Sequence, residues 1–164
     1  MLITAKKIQE LSFGALMKVY VEDCLGRGRW LSPEETGDRQ IAVGEQEFYQ
    51  YLNEVFFRTP DAVYAVWEEK GCYVSALRLE PFRDGLLLEA LATAPDQRGK
   101  GYARKLIQAV LDQTGPTRIY SHVDKRNSAS LKTHAACGFS VILDYAVGID
   151  GSVNPRCLTM CSQK

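Results

Sequence analysis

The sequence lacks the features of a membrane-spanning, secreted or nucleic-acid-binding protein. None of its apolar runs approaches the roughly 20 residues that a membrane-spanning helix needs. Its start, MLITAKKIQE, has no apolar stretch of the kind found in a secretory signal. Lysine plus arginine number 20, as do aspartate plus glutamate, so no overall basic field would attract nucleic acid. We therefore expect neither a membrane nor a nucleic acid as a partner.

Cysteines are few and irregularly spaced. Their number is odd, and no two of them have the Cys-x-x-Cys spacing, so we expect free thiols in a reducing cytoplasm and no bound metal. A catalytic cysteine is the alternative, but no histidine or aspartate stands out as its partner. The five residues are Cys24, Cys72, Cys137, Cys157 and Cys161.

Hydrophobic periodicity predicts seven strands and four helices. The strands are expected at 2–4, twice within 63–79, and at 85–93, 118–123, 141–147 and 156–161. The helices are expected within 6–23, 48–56, 103–111 and 127–139, with loops at 24–40 and 148–155. No repeat, low-complexity segment or linker interrupts this order, so we expect one α/β domain with a mixed sheet over residues 1–164.

The segment DQRGKGYARKL, residues 96–106, is an unusual start for a helix. A helix N-terminus carries unpaired N–H groups and partial positive charge, and it favours acidic residues and a Ser, Thr, Asp or Asn cap. Here the helix follows two glycines and four cations: Arg98, Lys100, Arg104 and Lys105. A bound phosphate would account for this arrangement. The alternative is a solvated helix start with surface cations.

Two familiar phosphate-binding motifs do not fit this segment. A P-loop needs Ser or Thr after its lysine, but Lys100 is followed by Gly101. A dinucleotide fingerprint needs a third glycine, and Arg104 stands at that position. A nucleotide-binding protein therefore remains only a third possibility.

The segment resembles the acyl-coenzyme A signature of the GNAT superfamily of N-acetyltransferases. That signature is Arg or Gln, two residues of any type, Gly, one residue, then Gly or Ala, and residues 98–103 match it. About 25 residues on, NSASLKTHAACGF resembles the family's later motif. The resemblance implies a GNAT fold, with a mostly antiparallel twisted sheet of about seven strands flanked by about four helices. It also implies transfer of an acetyl group from acetyl-coenzyme A to a primary amine.

The resemblance implies a coenzyme site on two segments. Backbone N–H groups of the loop and first helical turn would hold the pyrophosphate, and the pantetheine arm would pair with the end of the fourth strand, where it splays from the fifth. The Asn that begins the later motif would contact the arm, although Asn127 could equally be a helix N-cap, and both roles could hold together. The expected coenzyme-binding residues are Leu91, Ala92, Thr93, Arg98, Gly99, Lys100, Gly101, Tyr102, Ala103, Arg104 and Asn127.

Two residues are candidates for the chemistry. The family commonly has a Tyr by the sulfur as general acid, and this sequence has His134 there, which could transfer a proton, orient the thioester or be structural. Glu89 is a charged residue in the apolar strand LLLEALA, and it is the candidate base; a salt bridge is its alternative role. His122 could also face the acceptor, but a role in the sheet alone is the simpler reading.

The acceptor is not identified by the sequence. In the family its pocket is usually lined by the loop between the first two helices and the link between the last two strands, here 24–42 and 147–155. Glu34, Glu35 and Trp30 lie in the first segment and could contact an amine or have only surface roles. The acceptor could be a small-molecule amine or a protein amine, and a homodimer is possible. A non-catalytic coenzyme A-binding sensor or interaction module is the alternative function.

Overall fold

The computed structural model describes residues 1–162. The strands are β1 (Leu2–Ala5), β2 (Val63–Glu69), β3 (Cys72–Phe82), β4 (Gly85–Thr93), β5 (Arg118–Asp124), β6 (Phe139–Leu143), β7 (Ala146–Val147), β8 (Val153–Asn154) and β9 (Cys157–Ser162). The α-helices are α1 (Phe13–Val19), α2 (Val21–Leu31), α3 (Asp38–Glu54), α4 (Tyr102–Thr114) and α5 (Ser128–Ala136). Short 3-10 turns lie at Ile8–Glu10, Phe56–Arg58 and Pro95–Gln97. None of the described helices is long and apolar enough to cross a lipid bilayer.

Seven strands form the central sheet in the order β1-β2-β3-β4-β5-β9-β6. Every neighbouring pair is antiparallel except β4 and β5, which are parallel and are connected through α4. This confirms the predicted mixed, mostly antiparallel sheet. The single parallel pair follows from chain order, because a crossover helix returns the chain to the same edge of the sheet.

The two faces of the sheet bury different helices. Side chains alternate along a strand, so Tyr64, Val66 and Ala76 pack on one face with α1, α2 and α3. On the opposite face, Leu77 and Leu88 pack with the apolar stripe of α4. These contacts fix α4 against the sheet, so the loop that joins β4 to α4 is held at the C-terminal end of β4.

The expected loop at 24–40 is wrong over most of its length. Helix α2 extends to Leu31 and α3 begins at Asp38. Residues 1–162 contain five α-helices instead of four, because the helix expected over 6–23 is divided between α1 and α2. Glycine in a helix interior costs about 1 kcal/mol relative to alanine, so the two glycines of CLGRGRWL favour a loop when the sequence is read locally. In the fold Gly28 permits close contact: a Cβ at this position would lie 1.7 Å from the carbonyl oxygen of Gln40. Close packing of α2 on α3 outweighs the local preference.

Other boundaries differ more simply. The helix expected over 6–23 is a 3-10 turn, then α1 and the start of α2. The strand expected over 141–147 is divided into β6 and β7. β7 pairs with β8 inside the segment expected to be only a turn-rich link, so 148–155 contains a small hairpin.

Candidate functional site

A cleft opens where β4 and β5 separate. Their parallel register begins at Gly85 with Arg118 and ends at Leu88 with Ser121. Beyond that point a cavity of about 190 Å³ is lined by residues 88–91 of β4, 121–124 of β5, and Asn127, Ser130 and His134. The fold therefore brings Glu89, Leu91, Asn127 and His134 to one cavity from separate parts of the chain.

Strand β4 has a bulge at this cleft. Ala92 pairs with Ala76 and Glu89 pairs with Arg78, so β4 has one residue more than β3 between these pairs. Ala90 has a φ of +50°, in the left-handed region that side chains with a Cβ rarely adopt. The Tyr20 hydroxyl donates a hydrogen bond to the Ala90 carbonyl oxygen at 2.7 Å. Strain of this kind costs about 1–3 kcal/mol and is typically found at functional sites.

Glu89 carries the most perturbed carboxyl at the cleft. Burial and a hydrogen bond with the Glu80 carboxyl together raise its pKa to about 7, against the opposing positive charge of Arg78. Glu80 is itself buried. A carboxyl with this pKa can accept a proton near neutral pH, which is what a general base needs. No local sequence pattern singles out Glu80, because the contact between Glu80 and Glu89 depends on the register of β3 with β4.

His134 is buried on α5, and both of its ring nitrogens are hydrogen-bonded. Nδ1 lies 2.8 Å from the carbonyl oxygen of Ser130, which can only accept, so Nδ1 carries the proton. Nε2 lies 2.9 Å from the Ser121 hydroxyl and accepts from it. Burial lowers the pKa of His134, and the bond to Ser130 only partly offsets this. The imidazole is therefore neutral at pH 7 and holds the Ser121 hydroxyl in place.

Asn127 and His122 also line the cavity. The Asn127 side chain accepts a hydrogen bond from the Ser130 amide at 3.0 Å, so it caps α5. His122 packs edge-on against the ring of Phe82, and its buried Nε2 has no hydrogen-bond partner among residues 1–162. Burial and the charge of Arg83 lower the pKa of His122. The side of the cleft towards β5 thus presents two neutral imidazoles beside the carboxylate of Asp124, whose pKa is lowered to about 2 by its hydrogen bonds with Arg126.

The glycine turn lies at the end of β4 and leads into α4. Gly101 caps the helix with φ +77° and ψ 13°, and no side chain caps it. The first backbone N–H groups of a helix have no partner inside it, so those from Tyr102 onward can serve a ligand. A Cβ built on Gly99 or Gly101 would have no atom within 4 Å, so the backbone surface is open there.

Two of the cations near the turn have local partners. Arg98 donates to the Thr93 carbonyl oxygen at 3.3 Å and pairs with Glu22 at 2.6 Å, which ties the end of β4 to α2. The Lys100 ammonium donates to the carbonyl oxygen of Asp96 and to the side chain of Gln97. These side chains shape the turn, and its backbone N–H groups are the candidate anion-binding element.

A second, larger cavity of about 500 Å³ lies between α2, α3 and β3. Its lining includes Cys24 and Arg27 from the expected acceptor segment 24–42. Trp30 is outside the lining: it is 71% exposed, and the Arg27 guanidinium lies 4.6 Å from its ring centre. Glu35 pairs with Arg39 on the surface.

Metal ligands do not converge anywhere in the part of the chain that the structure describes. Residues 1–162 include no group of three or more His, Cys, Asp or Glu side chains that could hold a metal ion.

A family model described as "Acetyltransferase (GNAT) family" matches residues 27–139, more than half of the chain. Curated protein sequences gave no match. The fold is similar to PaiA N-acetyltransferase from Thermoplasma acidophilum in complex with coenzyme A, with a TM-score of 0.61, 14% identity, and coverage of 100% of this chain and 99% of that chain.

Two further structures have similar folds. A ribosomal-protein-alanine N-acetyltransferase from Brucella melitensis has a TM-score of 0.64 and 20% identity, with 100% of this chain and 99% of that chain covered. A chimera of spermidine N-acetyltransferase from Vibrio cholerae with hSSAT has a TM-score of 0.58 and 18% identity, with 98% and 94% covered. At these identities the likeness concerns the fold.

Proposed function

This chain belongs to the GNAT acetyltransferase family, and we propose that it transfers an acetyl group from acetyl-coenzyme A to a primary amine. One observation carries the proposal: the cleft where β4 and β5 separate is lined by a carboxyl whose pKa is about 7, and β4 continues from this cleft into an open glycine turn. The named relatives act on a small molecule in one case and a ribosomal protein in another. These relatives therefore do not indicate which class of amine is the acceptor of this chain. All five thiols are free, which favours a cytoplasmic location.

The coenzyme site that we propose follows β4 into α4. Backbone N–H groups from Arg98 to Arg104 would bind the pyrophosphate, with Gly99 and Gly101 allowing close approach. The pantetheine arm would lie along Leu91–Thr93, whose edge towards β5 has no strand partner. Asn127 would contact the arm while it caps α5.

Glu89 acts as the general base in this proposal. Its carboxylate accepts a proton from the acceptor ammonium, and the neutral nitrogen then attacks the thioester carbon. A carbon–nitrogen bond forms, the carbon–sulfur bond breaks, and the sulfur takes the second proton that the nitrogen loses. Backbone N–H groups of the bulged segment Leu91–Thr93 would stabilise the oxyanion of the tetrahedral intermediate.

His134 has an orienting role in this proposal. Because both nitrogens are bonded and burial lowers its pKa, it is poorly suited to donate a proton. It would instead fix the Ser121 hydroxyl in the wall of the cleft. The same observation favours a second candidate function, a coenzyme A-binding module without catalysis, since the family's usual acid is missing.

Calorimetric titration with acetyl-coenzyme A tests the proposal, with ATP and NAD as controls, followed by a thiol-release assay on a panel of amines. We expect a micromolar Kd, about −8 kcal/mol, for the coenzyme alone, and release that depends on an amine. Binding without turnover on any amine would favour the module. Equal affinity for ATP or NAD, or no binding of the coenzyme, would refute the proposed site.

A further inference from the structure

The large cavity between α2, α3 and β3 reaches the catalytic cleft through two of its lining residues. Tyr20 lines the cavity and its hydroxyl is bonded to the bulge at Ala90. Arg78 lines it and pairs directly with Glu89 across the two strands. A molecule in this cavity would therefore lie against the Glu89 side of β4. The volume, about 500 Å³, is that of a small-molecule site.

Arg78 lacks the anionic partner that such a cation needs. Its guanidinium lies 4.8 Å from the ring centre of Tyr51 and 5.7 Å from that of Phe56. Among residues 1–162, the buried Nε of Arg78 has no hydrogen-bond partner, and no carboxylate oxygen lies within 4.0 Å of a guanidinium nitrogen of Arg78. A guanidinium removed from water is stabilised by a carboxylate that takes its parallel N–H groups.

The carboxyls near Arg78 do not fill this role. Two of them line the same cavity: Glu47 is paired with Arg27, and Asp23 forms no ion pair with Arg78 among residues 1–162. Glu80 and Glu89 are hydrogen-bonded to each other, and the pKa of Glu89 stays near 7 despite the nearby positive charge. A carboxylate firmly paired with arginine would instead have a pKa below its ordinary value. Arg78 is thus positioned beside the proposed base and remains available to a ligand.

The spacing of Arg78 and Glu89 selects a particular acceptor. Directly paired residues on antiparallel strands have Cβ atoms about 4.5–5.5 Å apart on the same face. In an α-amino acid, one carbon carries both the carboxylate and the amino group. A carboxylate on Arg78 would therefore hold the amino nitrogen beside Glu89, with the side chain among the rings of Tyr20, Phe48 and Tyr51.

Given the acetyltransferase activity proposed above, on which this step rests, we propose that the acceptor is a free α-amino acid with an apolar side chain. Arg78 binds its carboxylate, and the cavity holds its side chain. A peptide N-terminus carries an amide at that place, and a polyamine carries no carboxylate, so both lack the group that Arg78 recognises.

Matched acceptors test this inference. Initial rates of thiol release are measured for phenylalanine, phenylalaninamide and phenethylamine, with spermidine and an alanine peptide included. We expect kcat/KM for phenylalanine to exceed that of the other compounds at least tenfold. The assay is run at pH 9, above the pKa of about 7 of the wild-type Glu89 carboxyl, and each variant is judged on the ratio of acid to amide, in which a change in Glu89 ionisation cancels.

The variant Arg78→Gln should lower kcat/KM at least tenfold for phenylalanine and less than threefold for phenylalaninamide. Arg83→Gln is the matched control, since Arg83 also stacks on two rings, those of Phe82 and Tyr120. It should leave the ratio of acid to amide unchanged. Affinity for acetyl-coenzyme A by calorimetry reports whether each variant is folded.

The failures are distinguishable. If wild-type protein acetylates the amide, spermidine or the peptide as well as phenylalanine, the inference is overturned and the proposed function stands. An equal loss for acid and amide in Arg78→Gln also overturns it. If acetyl-coenzyme A does not bind, the proposed function falls and the inference with it. The wild-type comparison decides the question even if Arg78→Gln fails to fold.

Discussion

The pH dependence of turnover in Glu80→Gln tests how the base is prepared. Burial and Glu80 together raise the pKa of Glu89 to about 7, against the opposing charge of Arg78. Glutamine at position 80 removes the negative charge and can donate a hydrogen bond to the Glu89 carboxylate. Both changes favour the ionised form, so the pKa of Glu89 should fall.

The size of the effect follows from the ionised fraction of Glu89. With a pKa of about 7, the carboxyl is about one-tenth ionised at pH 6 and about nine-tenths ionised at pH 8. Glu80→Gln can therefore raise kcat/KM at pH 6 by at most about tenfold, and by almost nothing above pH 8. Glu89→Gln removes the base, and it should lower kcat by about 10²–10⁴-fold above pH 8, with a smaller loss at lower pH, where less of the wild-type carboxyl is ionised.

Thiol release between pH 5.5 and 9 measures both effects with a single amine acceptor. The ratio of variant to wild type is plotted, because ionisation of the acceptor is then the same in numerator and denominator. Glu54→Gln, which removes an exposed carboxylate at the end of α3, is the control and should give a flat ratio near one.

Two results would refute the reasoning. Glu89→Gln with more than a third of the wild-type kcat would remove Glu89 from the mechanism. A ratio for Glu80→Gln that does not change with pH would mean that Glu80 does not set the pKa of the base.

Three other substitutions test separate parts of the site. Gly101→Glu should weaken acetyl-coenzyme A binding by about 10–1,000-fold, because its carboxylate would repel a phosphate by roughly 1–4 kcal/mol. Gly71→Glu is the control: Gly71 also has a φ of +77° and lies in open space, so this variant should bind the coenzyme normally. Equal titration curves for the two variants would exclude the turn as the phosphate site. Tyr20→Phe removes a hydrogen bond to the strained bulge, so it should cost about 1 kcal/mol of unfolding free energy and lower kcat. Tyr73→Phe, which removes a bond to the Ser12 amide, should affect stability only, and the bulge has no catalytic importance if the two variants have the same kcat. His134→Gln keeps a hydrogen-bond acceptor for the Ser121 hydroxyl and should retain most activity. His134→Phe removes this acceptor, so it should lose turnover and about 1–3 kcal/mol of stability. If the glutamine variant is as inactive as the phenylalanine variant and binds the coenzyme normally, His134 transfers a proton.

Local patterns predicted much of the fold. Strand β4 was expected at the residues where it is found, and α4 follows the glycine turn as expected, because apolar spacing and glycine act within a few residues. The sequence does not predict most of helix α2, because its glycines disfavour a helix locally, whereas the reason for Gly28 is its close contact with α3.

The sequence by itself predicted most of the strands and helices in their order, the glycine turn, and Glu89 and His134 as candidates. Each of these is visible within a short segment. Only the tertiary structure decided what those residues can do. No glycine or proline in the sequence indicates the bulge at Ala90. The bulge depends on the register of β4 with β3 and on the hydrogen bond from Tyr20. The pKa of Glu89 and the unpaired guanidinium of Arg78 arise from burial and from neighbours on another strand, which no local pattern contains.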